Sequence, residues 1–181
     1  FNPNGFTYVS EQDGYSHIYL YSPTGVMQRQ VTKGNWDVTR LIGYDDAAKV
    51  VYYESAEESP LRRSVYKIDQ KGVKTKLSEN EGTNSADFSA NYAYFVNNYS
   101  NANTPAVITV NETKSKKVLR VLQDNAALRE KLASTSFSKK EFFKVHTASD
   151  IELNAWIVKP VNFDESKKYP VLMVQYSGPN S

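Results

Sequence analysis

Val50-Val-Tyr-Tyr-Glu-Ser55, then Ser64-Val-Tyr-Lys-Ile68, then Thr75-Lys-Leu-Ser-Glu79: these three short runs decide the fold of this 181-residue chain. Each is rich in β-branched or aromatic residues and is bounded by polar turn residues, so each reads as a strand. The same phrase stands before it, in Phe6-Thr-Tyr-Val-Ser10, His17-Ile-Tyr-Leu-Tyr21 and Arg29-Gln-Val-Thr-Lys-Gly34. It returns afterwards in Ala93-Tyr-Phe-Val-Asn97, Ala106-Val-Ile-Thr-Val110 and Arg120-Val-Leu-Gln-Asp124. The centres recur at roughly 45 residues, the length of a four-stranded propeller blade. Val38-Thr-Arg-Leu-Ile-Gly-Tyr44 and Ser85-Ala-Asp-Phe-Ser89 supply the fourth strand between successive phrases, and Asp45–Lys49 and Asp69–Gly72 fit hairpin turns. A generic all-β protein is the alternative, but three matched phrases in one order favour a propeller. The pattern predicts about three blades over residues 1–124. It places Tyr8, Tyr52 and Phe95 buried on equivalent strands, with Tyr19, Tyr66 and Ile108 nearby on the following ones.

The repeat stops after Asp124. Asn125-Ala-Ala-Leu-Arg-Glu-Lys-Leu-Ala133 has good helix formers and an Asn cap candidate, so residues 125–138 read as a linker helix and loop. Glu141–His146 and Glu152–Val158 form a hairpin around Ala148-Ser-Asp150. A polar connection carrying Pro160 and Pro170 then leads to Val171-Leu-Met-Val-Gln-Tyr176, an apolar run of the kind buried on both faces of a sheet. A hairpin, a polar connection and a buried strand ending in Ser177-Gly-Pro179 is how an α/β-hydrolase domain begins, which assigns residues 139–181 to its first strands. In that fold the loop after the third strand contributes to the oxyanion hole. The fold class expected is mainly β: the C-terminal blades of a β-propeller followed by the start of an α/β-hydrolase domain.

Composition excludes several classes. With 22 Lys+Arg against 20 Asp+Glu and a net charge of +2 there is no basic stripe, which argues against nucleic acid. The longest apolar runs are far short of the about 20 residues that span a bilayer. No Cys is present, so there is no disulfide, no thiolate nucleophile and no Cys-based metal centre. His17 and His146 stand far apart without carboxylate-rich spacing, so neither a metal nor a cofactor is expected. Asn98-Tyr-Ser100 and Asn111-Glu-Thr113 match the glycosylation tripeptide, a short pattern that carries little weight. The start, Phe1-Asn-Pro-Asn-Gly5, lacks an initiator Met and a signal segment, and reads as the interior of a longer protein.

Four phrases make the reading more specific: Ser10-Glu-Gln-Asp-Gly-Tyr-Ser-His-Ile18, Val31-Thr-Lys-Gly-Asn-Trp-Asp-Val38, Leu119-Arg-Val-Leu-Gln-Asp-Asn125, and Lys167-Lys-Tyr-Pro-Val-Leu172 through Tyr176-Ser-Gly-Pro179. Through them the chain resembles the dipeptidyl peptidase IV family of the prolyl oligopeptidase superfamily over essentially its whole length. Tyr-x-Gly-Pro resembles the dipeptidyl branch, where other branches carry His-Gly-Gly-Pro or Tyr-Gly-Gly-Phe. The resemblance implies a serine exopeptidase that removes N-terminal dipeptides with Pro or Ala in second position from peptide substrates. It also implies a homodimeric parent and a periplasmic, secreted or membrane-anchored ectodomain location. A non-catalytic scaffold propeller and another α/β-hydrolase, such as an acylaminoacyl peptidase, remain as alternatives.

The nucleophile elbow Gly-x-Ser-x-Gly does not occur in the sequence; Gln175 stands two before Ser177, so Ser177 is not the nucleophile. The triad order Ser, Asp, His puts those groups after the oxyanion loop, and this stretch alone is expected to be inactive. The resemblance implies that the Tyr176 hydroxyl donates to the oxyanion, which a neutral phenol with a pKa near roughly 10 can do. Gly178 and Pro179 suit a tight loop holding it. Glu57-Glu58 read as a solvated loop rather than the family's amine-binding acidic pair. His17 reads as locally hydrogen-bonded or packed on Tyr15, His146 as exposed strand polarity, and Trp36-Asp37 as packing plus an Asx-type turn.

Overall fold

The computed structural model describes residues 5–176. The chain divides into two compact units between Leu132 and Ala133. The first holds eleven strands: β1 (Phe6–Ser10), β2 (His17–Tyr21), β3 (Met27–Gln30), β4 (Val38–Asp45), β5 (Val50–Ser55), β6 (Ser64–Asp69), β7 (Lys74–Lys76), β8 (Thr83–Phe88), β9 (Tyr94–Asn101), β10 (Thr104–Glu112) and β11 (Val118–Gln123). They form three antiparallel sheets in sequence order, β1-β2-β3, β4-β5-β6-β7 and β8-β9-β10-β11. Phrase and sheet correspond, and β4 and β8 are the expected fourth strands.

The expected hairpin turns form because an Asp side chain stands in for the backbone. Asp45 accepts from the Ala47 and Ala48 amides, both at 3.0 Å, and Asp69 from those of Lys71 and Val73 at 2.8 and 2.9 Å. The third strands end sooner than the sequence suggests. In the first sheet the Val31 and Thr32 amides both face the Ile18 carbonyl, at 2.7 and 3.4 Å. In the second, Leu77 and Ser78 face the Val65 carbonyl in the same way, at 2.8 and 3.5 Å. Two residues opposing one make a bulge, which bends the chain out of the ladder. A hydroxyl completes each bulge: Thr32 Oγ1 accepts the Ile18 amide at 3.0 Å, and Ser78 Oγ the Val65 amide at 2.9 Å.

The sheets stack face to face over two apolar layers. Between the first and second lie Ile18, Val31, Val38, Val51, Tyr53, Tyr66 and Ile68; between the second and third lie Tyr52, Val65, Leu77, Ala86 and Phe95. Tyr8, Tyr52 and Phe95 do occupy equivalent strands, β1, β5 and β9, and Tyr52 and Phe95 are buried, but Tyr8 is not. Tyr8 is 57% exposed, because β1 turns Val9 toward the second sheet and no described sheet covers the opposite face. Tyr52 points the other way from Phe95: Tyr53, its neighbour, faces the preceding sheet, and a shift of one residue reverses the face.

Helix α1 (Ala126–Ser134) follows β11. Asn125 accepts the Arg129 amide through its carbonyl at 2.9 Å, but Asp124 supplies the capping side chain, accepting from the Ala126 amide at 2.9 Å. The Asn125 side chain instead donates to the Ala106 carbonyl at 2.6 Å, and its φ of 53° suits Asn better than most residues.

In the second unit β12 (Lys140–His146) and β13 (Glu152–Val158) make the expected hairpin. Its register gives two unlike faces. Phe143, Val145, Leu153, Ala155 and Ile157 share one with Glu141, while Lys140, Phe142, Lys144, His146, Glu152, Asn154, Trp156 and Val158 share the other. The large apolar residues of both faces stay exposed. Residues Val171–Tyr176 correct the sequence reading: they form no strand and are exposed, not buried. A strand covered on both faces needs ladder partners and packing layers, and no described strand pairs with this run. Among the described residues, no helix is long and apolar enough to cross a membrane.

Candidate functional site

Tyr176 lies in irregular chain after Pro170, 79% exposed. Ser177, Gly178 and Pro179, the rest of the expected oxyanion loop, lie outside the described residues. The described residues bring no other candidate group to Tyr176, and they contain no cluster of three or more His, Asp or Glu that could hold a metal ion.

His17 is fully buried. Its Nδ1 lies 3.1 Å from Thr32 Oγ1 and its Nε2 2.9 Å from the Gly34 carbonyl, with the Trp36 ring edge-on at 4.9 Å. The Nε2–H tautomer satisfies every group: Gly34 accepts from it, and the Thr32 hydroxyl donates to Nδ1 while accepting from Ile18. Gly34 is required here, because its φ is +144° and a Cβ would stand 2.1 Å from Trp36 Nε1. Asp37 accepts the Ser16 amide at 2.8 Å, which ties the entry of the second sheet to the first. His17, Trp36 and Asp37 are thus structural. His146 is exposed on β12, 3.6 Å from Glu152.

The Glu57-Glu58 turn is paired rather than simply solvated. Glu57 bonds Lys74 and its side chain is 12% exposed; Glu58 lies 2.7 Å from Lys76 and accepts from Ser64 Oγ at 3.2 Å. Partial burial pushes the Glu58 carboxyl up, but the Lys76 bond and charge, together with the hydroxyls of Tyr66 and Ser64, hold the group below its ordinary value.

A charged group that the sequence did not signal joins the second and third sheets. Glu54, 7% exposed on β5, uses one carboxylate oxygen to accept from Arg40 at 3.2 Å, Ser85 Oγ at 3.1 Å and the Ala86 amide at 3.0 Å. Arg40 on β4 also reaches Asp87 on β8 at 2.7 Å, and this bond, ahead of burial and the Glu54 charge, sets its guanidinium pKa above the ordinary value. Arg40 and Glu54 are cross-strand partners within the second sheet, 14 positions apart, whereas Ser85 stands 31 positions from Glu54 and Asp87 47 from Arg40, so the stacking of the sheets is what brings the β8 groups to the pair.

Antiparallel sheets of up to four strands, repeated along the chain, stacked face to face and bulged at equivalent positions, define a propeller-like β protein. Its sequence identifies which one. The model of the dipeptidyl peptidase IV (DPP IV) N-terminal region matches residues 1–106, and the chain belongs to the dipeptidyl peptidase IV family. It is 34% identical over 186 residues to dipeptidyl peptidase 4 of Trichophyton rubrum, covering 99% of this chain and 24% of that protein. It is 33% identical to dipeptidyl peptidase 4 of Arthroderma otae, covering 96% of this chain and 23% of the relative. The crystal structure of Porphyromonas gingivalis dipeptidyl peptidase 4 superposes with a TM-score of 0.95 at 61% identity, over all of this chain and 26% of the other. The chain thus spans about a quarter of the length of the proteins it matches.

Proposed function

We propose that the chain is part of a serine exopeptidase that releases N-terminal dipeptides with Pro or Ala in second position. The observation that carries this is the reach of the similarity, which runs beyond the sheet repeat through nearly the whole chain to relatives named dipeptidyl peptidase 4. On this reading residues 1–124 are about three propeller blades, 125–138 the link, and 139–181 the first strands of an α/β-hydrolase domain. Two features support the last assignment. The hairpin keeps Phe143, Val145, Leu153 and Ile157 on one exposed face, and Val171–Val174 is an exposed apolar run. Both are surfaces that a larger sheet would bury, at roughly 25 cal/mol per Å² of apolar area.

Within that enzyme Tyr176 donates its phenol hydrogen to the oxyanion, beside a backbone N–H after the nucleophile. Negative charge grows on the carbonyl oxygen only as the tetrahedral state forms, so such a donor raises kcat without tightening substrate binding. The parent acts on peptides, is a homodimer, and works in the periplasm, in secreted form or as a membrane-anchored ectodomain.

Full-length enzyme carrying Tyr176→Phe, assayed on a Gly-Pro chromogenic substrate, tests this. The expected result is kcat lower by roughly 10²- to 10³-fold, about 2.7–4 kcal/mol, with KM little changed. Near-wild-type kcat in a folded variant makes Tyr176 a packing residue only. The 181-residue chain alone should show no turnover, and activity in material free of host peptidase contradicts that.

A further inference from the structure

The chain leaves its three sheets in two different ways. After β3 and after β7 two successive backbone amides meet one carbonyl, that of Ile18 near the start of β2 and that of Val65 near the start of β6, and the chain goes on to the first strand of the next sheet. After β11 a side chain meets the carbonyl near the start of β10: Asn125 Nδ2 donates to Ala106 at 2.6 Å. The other end of the same amide is held as well, since Asn125 Oδ1 accepts from Gln123 Nε2 at 2.8 Å. The Asn125 carbonyl accepts the Arg129 amide in the first turn of α1 at 2.9 Å. One residue thus bonds the sheet through its side chain and the helix through its backbone.

The Asn125 backbone is left-handed, with a φ of 53°. Lys49, Tyr92, Lys116 and Asp150 share that conformation, but each lies in the turn of a hairpin, where it is routine. Asn125 adopts it where a sheet passes into a helix. Asn is one of the few residues besides Gly that visit this region, because its short side chain bonds locally. A residue held there persists where its surroundings fix it, and here the Ala106 carbonyl and the Gln123 amide do so. Asp124 caps the Ala126 amide, so the Asn125 side chain is not needed for that task. Its bonds hold the direction in which α1 departs.

We propose that Asn125 is a positioning residue of the peptidase: it sets the direction in which the chain leaves the third sheet through α1, and acts on the reaction through the segments that follow without touching substrate. This rests on the reading of the chain as part of a dipeptide-releasing enzyme. The bulges completed by Thr32 and Ser78 pass the chain from sheet to sheet and carry no such role.

Full-length enzyme carrying Asn125→Gly, beside Ser78→Ala, tests this by kinetics on a Gly-Pro chromogenic substrate and by amide exchange. Gly takes the left-handed backbone without strain but makes neither side-chain bond, so the variant separates the two. The expected result for Asn125→Gly is kcat lower by about 10-fold with KM within about 2-fold, since a small displacement far from the chemistry disturbs the reacting geometry. Amide exchange should be about 10-fold faster in α1 and unchanged in β5 and β6. Ser78→Ala should lower Tm and leave kcat as it was. Asn125→Asp keeps the shape and the Gln123 bond but sets an oxygen against the Ala106 carbonyl; it should lose kcat likewise, and guards against a Gly variant that fails to fold. With the unsubstituted enzyme active, undiminished kcat in a folded Asn125 variant, an equal loss in Ser78→Ala, or unchanged exchange in α1 overturns the proposal alone. No turnover by the unsubstituted enzyme overturns the peptidase reading, and the proposal with it.

Discussion

The junction between the first and second sheets and the junction between the second and third have one backbone plan and two side-chain chemistries. In both, the incoming strand is tied to the previous sheet just before that sheet's middle strand: Val38 donates to the Ser16 carbonyl at 2.7 Å, and Asn84 to the Arg63 carbonyl at 2.9 Å. The first junction is then finished by hydrogen bonds and a ring contact, through the Asp37 carboxylate, His17, Thr32 and the Trp36 ring. The second is finished by Arg40, Glu54 and Asp87. The difference teaches that the repeat specifies where sheets join, while the side chains at each joint decide which conditions loosen it. Salt should therefore act more on the second junction, through the exposed Arg40–Asp87 ion pair, than on the first.

Removing an aromatic from the second junction should have the largest effect. Tyr52 stacks on Tyr92 with centroids at 4.5 Å and meets Phe88 at 4.7 Å. Tyr52→Ala should cost about 3–5 kcal/mol, as buried aromatic truncations do. Tyr8→Ala, on the equivalent strand but exposed, should stay within about 0.5 kcal/mol. Urea unfolding of the two variants checks the contrast, and similar losses would mean that the open face beside Tyr8 is covered in solution.

Next come the polar centres. Glu54→Ala strands the buried Ala86 amide, and His17→Ala strands the Gly34 carbonyl and the Thr32 hydroxyl. Each should cost about 1–3 kcal/mol. Their salt response separates them: the parent's margin over the Glu54 variant should shrink as salt rises, while its margin over the His17 variant should hold. Parallel salt curves would break the comparison. Smaller still are the bulge hydroxyls, where Ser78→Ala removes one bond and Thr32→Val two, each bond worth about 0.5–1.5 kcal/mol. The Thr32 variant should lose more, because His17 depends on the same oxygen.

What the sequence disclosed follows from locality. Each sheet is an antiparallel run of consecutive strands joined by short polar turns, some of them made by an Asp such as Asp45 or Asp69, so strand order and the near-45-residue repeat were legible. Facing was not: Tyr52 and Tyr53 are both apolar-bodied, and alternation alone does not say which looks toward the earlier sheet. Asp87 meets the Arg40–Glu54 pair only after the sheets stack, and Glu57 meets Lys74 only when the turn after β5 reaches β7, so no local pattern announces them. The exposed run at 171–176 shows the converse, since its composition fits a buried strand but composition supplies no partner. Tyr176 became a candidate only through resemblance, for nothing in its described surroundings marks it out.

The smallest effect at neutral pH should become visible in alkali. Burial, then the Asp45 charge, then Tyr92, push the Tyr52 phenol up to about 12, against roughly 10 in the unfolded chain. Burial followed by Glu57 raises Tyr53 further in the first junction. In each case the folded state favours the neutral phenol, so the stability this gives is fully present below pH 10. Above that the unfolded chain releases the proton and the folded one keeps it, and stability falls with rising pH. For Tyr52 the fall ends once the pH passes about 12, whereas for Tyr53 it continues beyond. Tyr52→Phe should thus be nearly neutral at pH 7 yet remove one proton from the pH slope of unfolding between 10 and 12. Tyr53→Phe should remove the same slope without the levelling near 12. Denaturant unfolding followed across that range checks both, and identical profiles for the two variants would show that the junctions bury their phenols alike.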